Sequence, residues 1–214
     1  MRHSHSSLKQ YVNCPLAYYH ERIMQDTPRM ENAAATWGKD VHRHFELRTA
    51  QGTALPTNLK TFEQILAKFD GLPTRAEWQL AIDADLKPTE WESPTAWFRG
   101  IIDLYVSIDA ATALVLDYKT GKRRMDNDQL EACALLLFAH DPTLRVVRAG
   151  FLWTQLAQID SCVYDRANIN AMWAHLMARI RPVHKSHETD VWPARPSGLC
   201  GWCAHQPNCP QGKR

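Results

Sequence analysis

Apolar residues recur at helical spacing in the first part of this chain and switch to strand alternation in its middle. Ser7-Leu-Lys-Gln10 has the form of a capping box and predicts a helix start, which Asn13-Cys-Pro15 interrupts. Pro15 suits the first turn of a second helix, LAYYHERIM. Val41 and Phe45, one turn apart, predict a third helix over 33–49. Residues 52–58 read as a loop and TFEQILAKF as a short helix. From EWQLAID onward the period is two. WFRGIIDLYVSID and ALVLDYKT are β-rich runs joined by a turn near Asp109-Ala-Ala, which predicts a hairpin. A helix follows to His140, with Asp126 as its expected N-cap. Then come strands in RVVRAGFLWTQL and IDSCVYD, a long helix over 167–187, and a Pro/Gly-rich tail. This order predicts an α/β fold with a central mixed β-sheet flanked by helices.

A length of 214 residues suits one domain, 1–214: a helical part over 1–50, a sheet core over 75–165 and a cysteine-rich closing segment over 190–214. With 45% hydrophobic and 22% charged residues, the mix is that of a soluble globular protein. The longest apolar run, ACALLLFA, falls short of the roughly 20 residues a membrane span needs. MRHSHSSLKQ holds no apolar secretion segment, so the expected location is intracellular. A net charge of +2 gives no global basic field, although 179–214 carries six Lys/Arg against Glu188 and Asp190. In an intracellular chain, Cys14, Cys133, Cys162, Cys200, Cys203 and Cys209 point to thiol or metal chemistry rather than a disulfide frame.

Two acidic positions stand out in the hairpin: Asp103 in RGIIDLY and Asp117 in LVLDYKTGK. Strand alternation puts Asp117 and Lys119 on one face and Tyr118 on the other. Hairpin pairing would set Asp103 beside Asp117, where like charges repel, with Ile101, Ile102 and Leu116 burying them. A hard divalent cation between the carboxylates makes such a pair tolerable. Mg2+ or Mn2+ held there polarises a phosphodiester and acidifies a bound water. Lys119 orients that water or neutralises charge developing on the phosphate.

These residues resemble the active-site hairpin of the PD-(D/E)xK nuclease superfamily, specifically its RecB-type branch, which has a restriction-endonuclease-like core. That branch carries an upstream G-x-x-x-H-x-x-x-E helix, matched here by Gly38, His42 and Glu46. The resemblance implies that His42 lies at the metal site and that the backbone carbonyl of Tyr118 joins His42, Asp103 and Asp117 there. Glu77 maps to an acidic residue that some members place on the preceding strand. The family's glutamine-led helix motif, Q-x-x-x-Y, reads here as Gln129 with Cys133 replacing the tyrosine. This implies a DNA or active-site contact for Gln129; the alternative is a capping box with Asp126.

LCGWCAHQPNCP supplies Cys200, Cys203 and Cys209 in C-x2-C-x5-C spacing, one short of the four ligands of a closed structural site. A subset of RecB-type nucleases, including the AddB nuclease domain and CRISPR adaptation nucleases, pairs such a tail with one cysteine near the N-terminus and carries an iron–sulfur cluster. The resemblance makes Cys14 the fourth ligand. Cys14 sits at an expected helix start, where the backbone N–H groups and dipole favour a thiolate. Four thiolates fit a 4Fe–4S cluster and also tetrahedral zinc; the resemblance favours iron–sulfur. His205 could replace a cysteine in a zinc site. Cys162 reads as a small core residue, and Trp192 and Trp202 as packing around the cluster or stacking on bases.

The implied activity is that of a deoxyribonuclease: an Mg/Mn-dependent exonuclease on single-stranded DNA ends with a structural iron–sulfur cluster. A helicase, recombination proteins or CRISPR adaptation proteins are the implied partners, in the cytoplasm of a prokaryotic or phage-infected cell. No G-x-x-x-x-G-K-[ST] motor motif is present, so any unwinding must come from a partner. The competing reading is a non-catalytic DNA-binding or assembly module on the same fold with a zinc or iron–sulfur site.

Overall fold

The computed structural model describes residues 1–27 and 32–211; Lys213 and Arg214 of the basic tail lie outside the described residues. The chain divides into two compact units, Met1–Arg2 with Asn32–Trp173 and His3–Glu31 with Ala174–Arg214.

The first unit is an α/β sandwich around a six-stranded mixed sheet. Its strands are β1 Thr74–Ile82, β2 Pro88–Thr89, β3 Phe98–Ser107, β4 Thr112–Lys119, β5 Val146–Trp153 and β6 Gln158–Asp165, in the order β2-β1-β3-β4-β5-β6. All neighbours run antiparallel except β4 and β5, which pair in parallel along their whole length, from Thr112↔Val146 to Lys119↔Trp153. A parallel pair needs a crossover. Helix α5, Asn127–His140, supplies it, and its core-facing run LEACALLLFA is buried from Leu130 to Phe138 apart from Glu131.

Helix α3, Ala33–Gln51, is capped by the Asn32 side chain on Ala35 N–H at 2.9 Å. Its Val41 and Phe45 pack with Leu104, Leu116, Tyr118 and Leu152 of the sheet, and with Leu59, Phe62 and Leu66 from a 3-10 turn and the short helix α4, Glu63–Leu66. Leu116 and Tyr118 join this cluster, whereas Asp117 between them bonds to α5. The two helices therefore cover opposite faces of β4, as the period-2 pattern requires. Fully burying a Leu or Phe is worth about 2 kcal/mol, so this two-sided apolar layer anchors β3 and β4.

The second unit contains α1 His5–Asn13, α2 Pro15–Tyr18, a π-helical turn Tyr19–Met24 and most of α6, Ile169–Thr189. The cap of α1 is Ser4, not Ser7. Ser4 Oγ accepts the Ser7 N–H and Ser7 Oγ answers on the Ser4 N–H, so the chain enters the helix three residues earlier than the Ser7–Gln10 pattern implies. Tyr11 of α1 donates from its hydroxyl to the Pro182 carbonyl at 2.8 Å and pairs with Ser186 at 2.7 Å. Pro182 interrupts the hydrogen-bond ladder of α6 from within, so this clamp falls where the helix is weakest.

Candidate functional site

Three adjacent strands lose their ladder along one row. β1 and β3 pair on either side of Glu77 and Asp103, at Ala76↔Leu104 and Trp78↔Ile102, but not at those two residues. β3 and β4 stop pairing at Leu104↔Leu116, one step short of Asp103 and Asp117. Glu77 sits in the left-handed region at φ 46, which costs a side-chain-bearing residue about 1–2 kcal/mol. The Asp103 carboxylate fills the gap in the sheet, Oδ2 accepting the Tyr118 N–H at 2.7 Å. The sheet opens where the three carboxylates lie, and the opening lets them converge.

His42 enters this opening from α3. Its Nε2 is 2.9 Å from the Tyr118 carbonyl oxygen, and its Nδ1 is 3.3 Å from Glu77 Oε1 and 3.5 Å from Asp103 Oδ2. Both ring nitrogens thus face acceptors. Burial alone would lower the His42 pKa, but the Glu77 hydrogen bond, the Asp103 charge and the Tyr118 carbonyl outweigh it and hold the value at about 9. Gly38, one turn earlier, admits the close approach of α3: a Cβ there would lie 3.3 Å from Thr120 Oγ1, just past the end of β4.

On β4, Lys119 Nζ stands 2.6 Å from Asp117 Oδ1 and donates to Gln129 Oε1 at 2.9 Å, while Gln129 Nε2 donates to Asp117 Oδ2. Asp117 Oδ1 is buried and, despite the nearby ammonium, has no donor aligned on it. The two observations are compatible because one concerns distance and the other direction. Tyr118 points the other way, edge-on to Phe45 at 4.6 Å.

Burial pushes both aspartates up. The effect is large at Asp103, where the Asp117 charge adds to it and His42 opposes; at Asp117, Lys119 opposes it. Such a pair is costly unless positive charge arrives. His42, Glu77 and Asp103 each offer a ligand atom within 4.8 Å of the others. Two carboxylates, an imidazole and the nearby Tyr118 carbonyl form the oxygen-rich set that suits a hard divalent cation. Asp117 stands outside that triangle, with its oxygens toward Lys119 and Gln129.

The sequence pattern is corrected at several points. Ile101 is 41% exposed and does not cover the carboxylates; Ile102 is buried. Asp126 holds the N-cap position of α5 without a side-chain cap, and Gln129 spends its amide on Lys119 and Asp117 instead of on a capping box. Glu46 shares an open groove of about 490 Å³ with Lys39, His42, Arg43 and Glu77, and is itself paired with Arg43 at 3.3 Å. Cys133 is a buried free thiol whose pKa is raised by burial and then by the charges of Asp117 and Asp103. Cys162 is not a core residue. It is half-buried on edge strand β6 with Sγ 3.6 Å from Asn127 Oδ1. Two residues escaped sequence reasoning: the Lys119 carbonyl accepts from Thr154 N–H at 2.9 Å and Thr154 Oγ1 at 3.2 Å, and Gln155 donates to the Thr120 carbonyl at 3.0 Å. No local pattern marks them, because the contact spans 35 positions.

In the second unit, Cys14, Cys200, Cys203 and Cys209 line one cavity of about 270 Å³, all with free thiols. The tail reaches it through successive three-residue turns: Cys203 N–H to Cys200 O at 3.1 Å, Gln206 N–H to Cys203 O at 3.0 Å and Cys209 N–H to Gln206 O at 3.2 Å. The two 3-10 turns, Cys200–Trp202 and Gln206–Asn208, each end on an extended cysteine, Cys203 and Cys209, and all three tail thiols line the same cavity. Backbone N–H groups of Arg195 and Ser197 point at Cys14 Sγ (3.4 Å) and Cys200 Sγ (3.3 Å). Burial, followed by Glu21 and the neighbouring Cys14 and Cys200, raises the Cys203 pKa. Among the described residues, no three of these sulfurs lie within 4.8 Å of one another. His205 is buried and stacked on His20 at 3.6 Å. Trp192 does not line the cavity. It packs among Tyr11, Tyr18, Tyr19 and His187, whereas Trp202 stands at the cavity rim 82% exposed.

A mixed sheet opened over converging carboxylates, with a lysine two residues past the last of them, is the site of a phosphodiester-cleaving nuclease fold. Residues 2–210 match the PD-(D/E)XK nuclease superfamily, and the chain belongs to it. No curated protein sequence matches the chain. Among solved structures, a candidate exonuclease from Eubacterium rectale shares 14% identity over 95% of this chain and 87% of its own, with a TM-score of 0.53. The protein SSO0001 shares 13% identity over 97% and 86%, with a TM-score of 0.49. Among the described residues, no helix is long and apolar enough to cross a membrane.

Proposed function

We propose that this nuclease is an Mg2+- or Mn2+-dependent deoxyribonuclease that acts as an exonuclease on single-stranded ends. The observation that carries the reading is the interrupted row Glu77, Asp103 and Asp117, with Lys119 fixed at its edge by Gln129. His42, Glu77, Asp103 and the Tyr118 carbonyl would hold the cation, with Asp117 joining them from beside Lys119, and the cation would supply polarisation of the phosphodiester and acidification of a bound water. Lys119, 2.6 Å from Asp117, is placed to orient that water and to meet charge developing on the phosphate. Gln129 holds the lysine and the aspartate in fixed relation. Action at ends fits the likeness to the candidate exonuclease, while the preference for single strands and work beside a helicase, recombination or CRISPR adaptation proteins in a prokaryotic or phage-infected cytoplasm rest on the family resemblance alone.

The four-thiol cavity is assigned to a 4Fe–4S cluster. A single zinc ion with bonds of about 2.3 Å draws its sulfurs to about 3.8 Å from each other. Four thiols fit either group, and the resemblance to the cluster-bearing branch favours iron–sulfur.

Linear and circular DNA, each single- and double-stranded, offered with Mn2+ or Mg2+, tests the substrate reading. Mononucleotides released from linear single strands, with circles intact, are expected; nicking of circles would show an endonuclease. Anaerobically purified protein should be brown, and a colourless, zinc-loaded preparation would refute the cluster.

A further inference from the structure

The segment 120–126, which links Lys119 to α5, carries Lys122, Arg123 and Arg124 in succession on exposed positions. Only one of these cations is tied down. Arg123 makes a two-pronged pair with Asp160 of β6, Nε to Oδ2 and Nη2 to Oδ1, both at 2.6 Å. Asp160 is fixed in turn by the buried Trp153 of β5, whose indole N–H reaches Oδ2 at 2.8 Å. The start of the segment is pinned as well, through Thr154 and Gln155 on the Lys119 and Thr120 carbonyls. Its far end runs into the first turn of α5, which carries Gln129. A polar segment of this composition ordinarily frays. This one is moored at both ends and in the middle, against the strands that place Lys119.

Mooring Arg123 leaves Lys122 and Arg124, on either side of it, with no ion-pair partner among the described residues. The buried carboxylates already have Lys119 and His42, and Lys122 and Arg124 lie on exposed positions of the moored segment that leaves β4. They suit an anion that arrives from outside and spans several charges. We propose that residues 120–125 form a strap for the nucleic-acid backbone, with Lys122 and Arg124 binding phosphates next to the scissile one and the Arg123–Asp160–Trp153 chain holding the strap in place. The word scissile rests on the nuclease reading; the phosphate grip does not. Arg123, Asp160 and Trp153 are positioning residues.

The test measures binding of a labelled oligothymidylate across a salt series in Ca2+, and cleavage separately in Mn2+. Each phosphate contact on a single strand contributes about 0.7 to the slope of log affinity against log salt. Lys122→Gln with Arg124→Gln should therefore flatten the slope by about 1.4 and raise KM about tenfold, with kcat within about twofold of the parent. The exchange Lys122→Arg with Arg124→Lys should restore both. Arg123→Gln should weaken binding while leaving most of the slope, because its charge is already spent on Asp160. A double variant with the parent's slope and KM overturns the strap even if the enzyme cleaves normally, and so does a parent that binds no DNA. A flattened slope in a protein that cleaves no DNA in Mn2+ or Mg2+ keeps the strap and removes the nuclease reading.

Discussion

The carboxylate row and the thiol cavity are built by opposite means. The row sits in regular structure: Asp103 and Asp117 are both buried, flanked by a full parallel ladder on one side and covered by the buried helix α5 and the half-exposed helix α3. Its polar groups are largely satisfied by each other, His42 by Tyr118 and Glu77, and Lys119 by Gln129. The cavity is lined on one side by α1, α2 and the turn after them and on the other by residues 194–211, whose only regular elements are three-residue 3-10 turns. The first site stores electrostatic strain in a rigid frame. The tail side of the second has little frame of its own, so the binding energy of its ligand is also folding energy for that segment. Substitutions should thus divide: in the row they cost turnover before stability, and around the cavity they cost stability first.

The largest effect tests the row. Asp103→Asn or Asp117→Asn should lower cleavage about a thousandfold, the scale lost when a preorganised charge is removed from a reacting centre. The melting temperature should hold or rise, since one of two repelling buried carboxylates is gone. A fall of many degrees would show that the pair is structural. On the other side, Cys14→Ser or Cys200→Ser should abolish the brown chromophore, drop the melting temperature and open residues 194–211 to trypsin. Unchanged iron content and melting would break the contrast.

Gln129→Ala comes next, with an expected loss of about ten- to hundredfold in kcat and little change in KM, because it releases Lys119 from its fixed relation to Asp117. A change confined to KM would instead make Gln129 a substrate contact. The smallest effect concerns pH in metal-free protein. The His42 pKa is raised from an ordinary 6.5 to about 9 by the folded state. Its contribution is complete below 6.5 and is lost as pH rises through about 9. In EDTA the melting temperature should drop by a few degrees across that window, since about 1 kcal/mol moves a protein of this size by about 3 °C. His42→Gln should flatten the dependence, and a parent curve already flat would discount the His42 network.

Most of the frame was legible in the sequence because its signals are local. RGIIDLY and LVLDYKTGK alternate cleanly, Lys119 follows Asp117 at a one-face spacing, and the buried run of α5 leaves few alternatives to a covered crossover helix. The tail spacing was legible too, although the shared cavity that its three thiols line with Cys14 needed coordinates. What stayed hidden depends on register between strands. Glu77 is singled out in the sequence by the family resemblance alone; the break opposite Asp103 and the left-handed backbone that aim it at the site leave no mark on its neighbours. Thr154, Gln155 and Asp160 act on residues 35 to 37 positions away. Ser4 in place of Ser7 as the cap, Cys162 on an edge instead of in the core, and Trp192 in an aromatic nest away from the cavity are of the same kind. In each, composition offers two solutions and tertiary packing selects one.

The central claim is that Asp117 and Lys119 lie at a metal-dependent hydrolytic centre, and one comparison reaches it most directly. Parent and Lys119→Ala proteins, matched for melting temperature, are assayed on end-labelled single-stranded DNA over a Mn2+ titration. The account predicts Mn2+-dependent cleavage by the parent, and turnover lower by about a hundredfold or more in the variant at every metal concentration. Equal cleavage by the two proteins would contradict it.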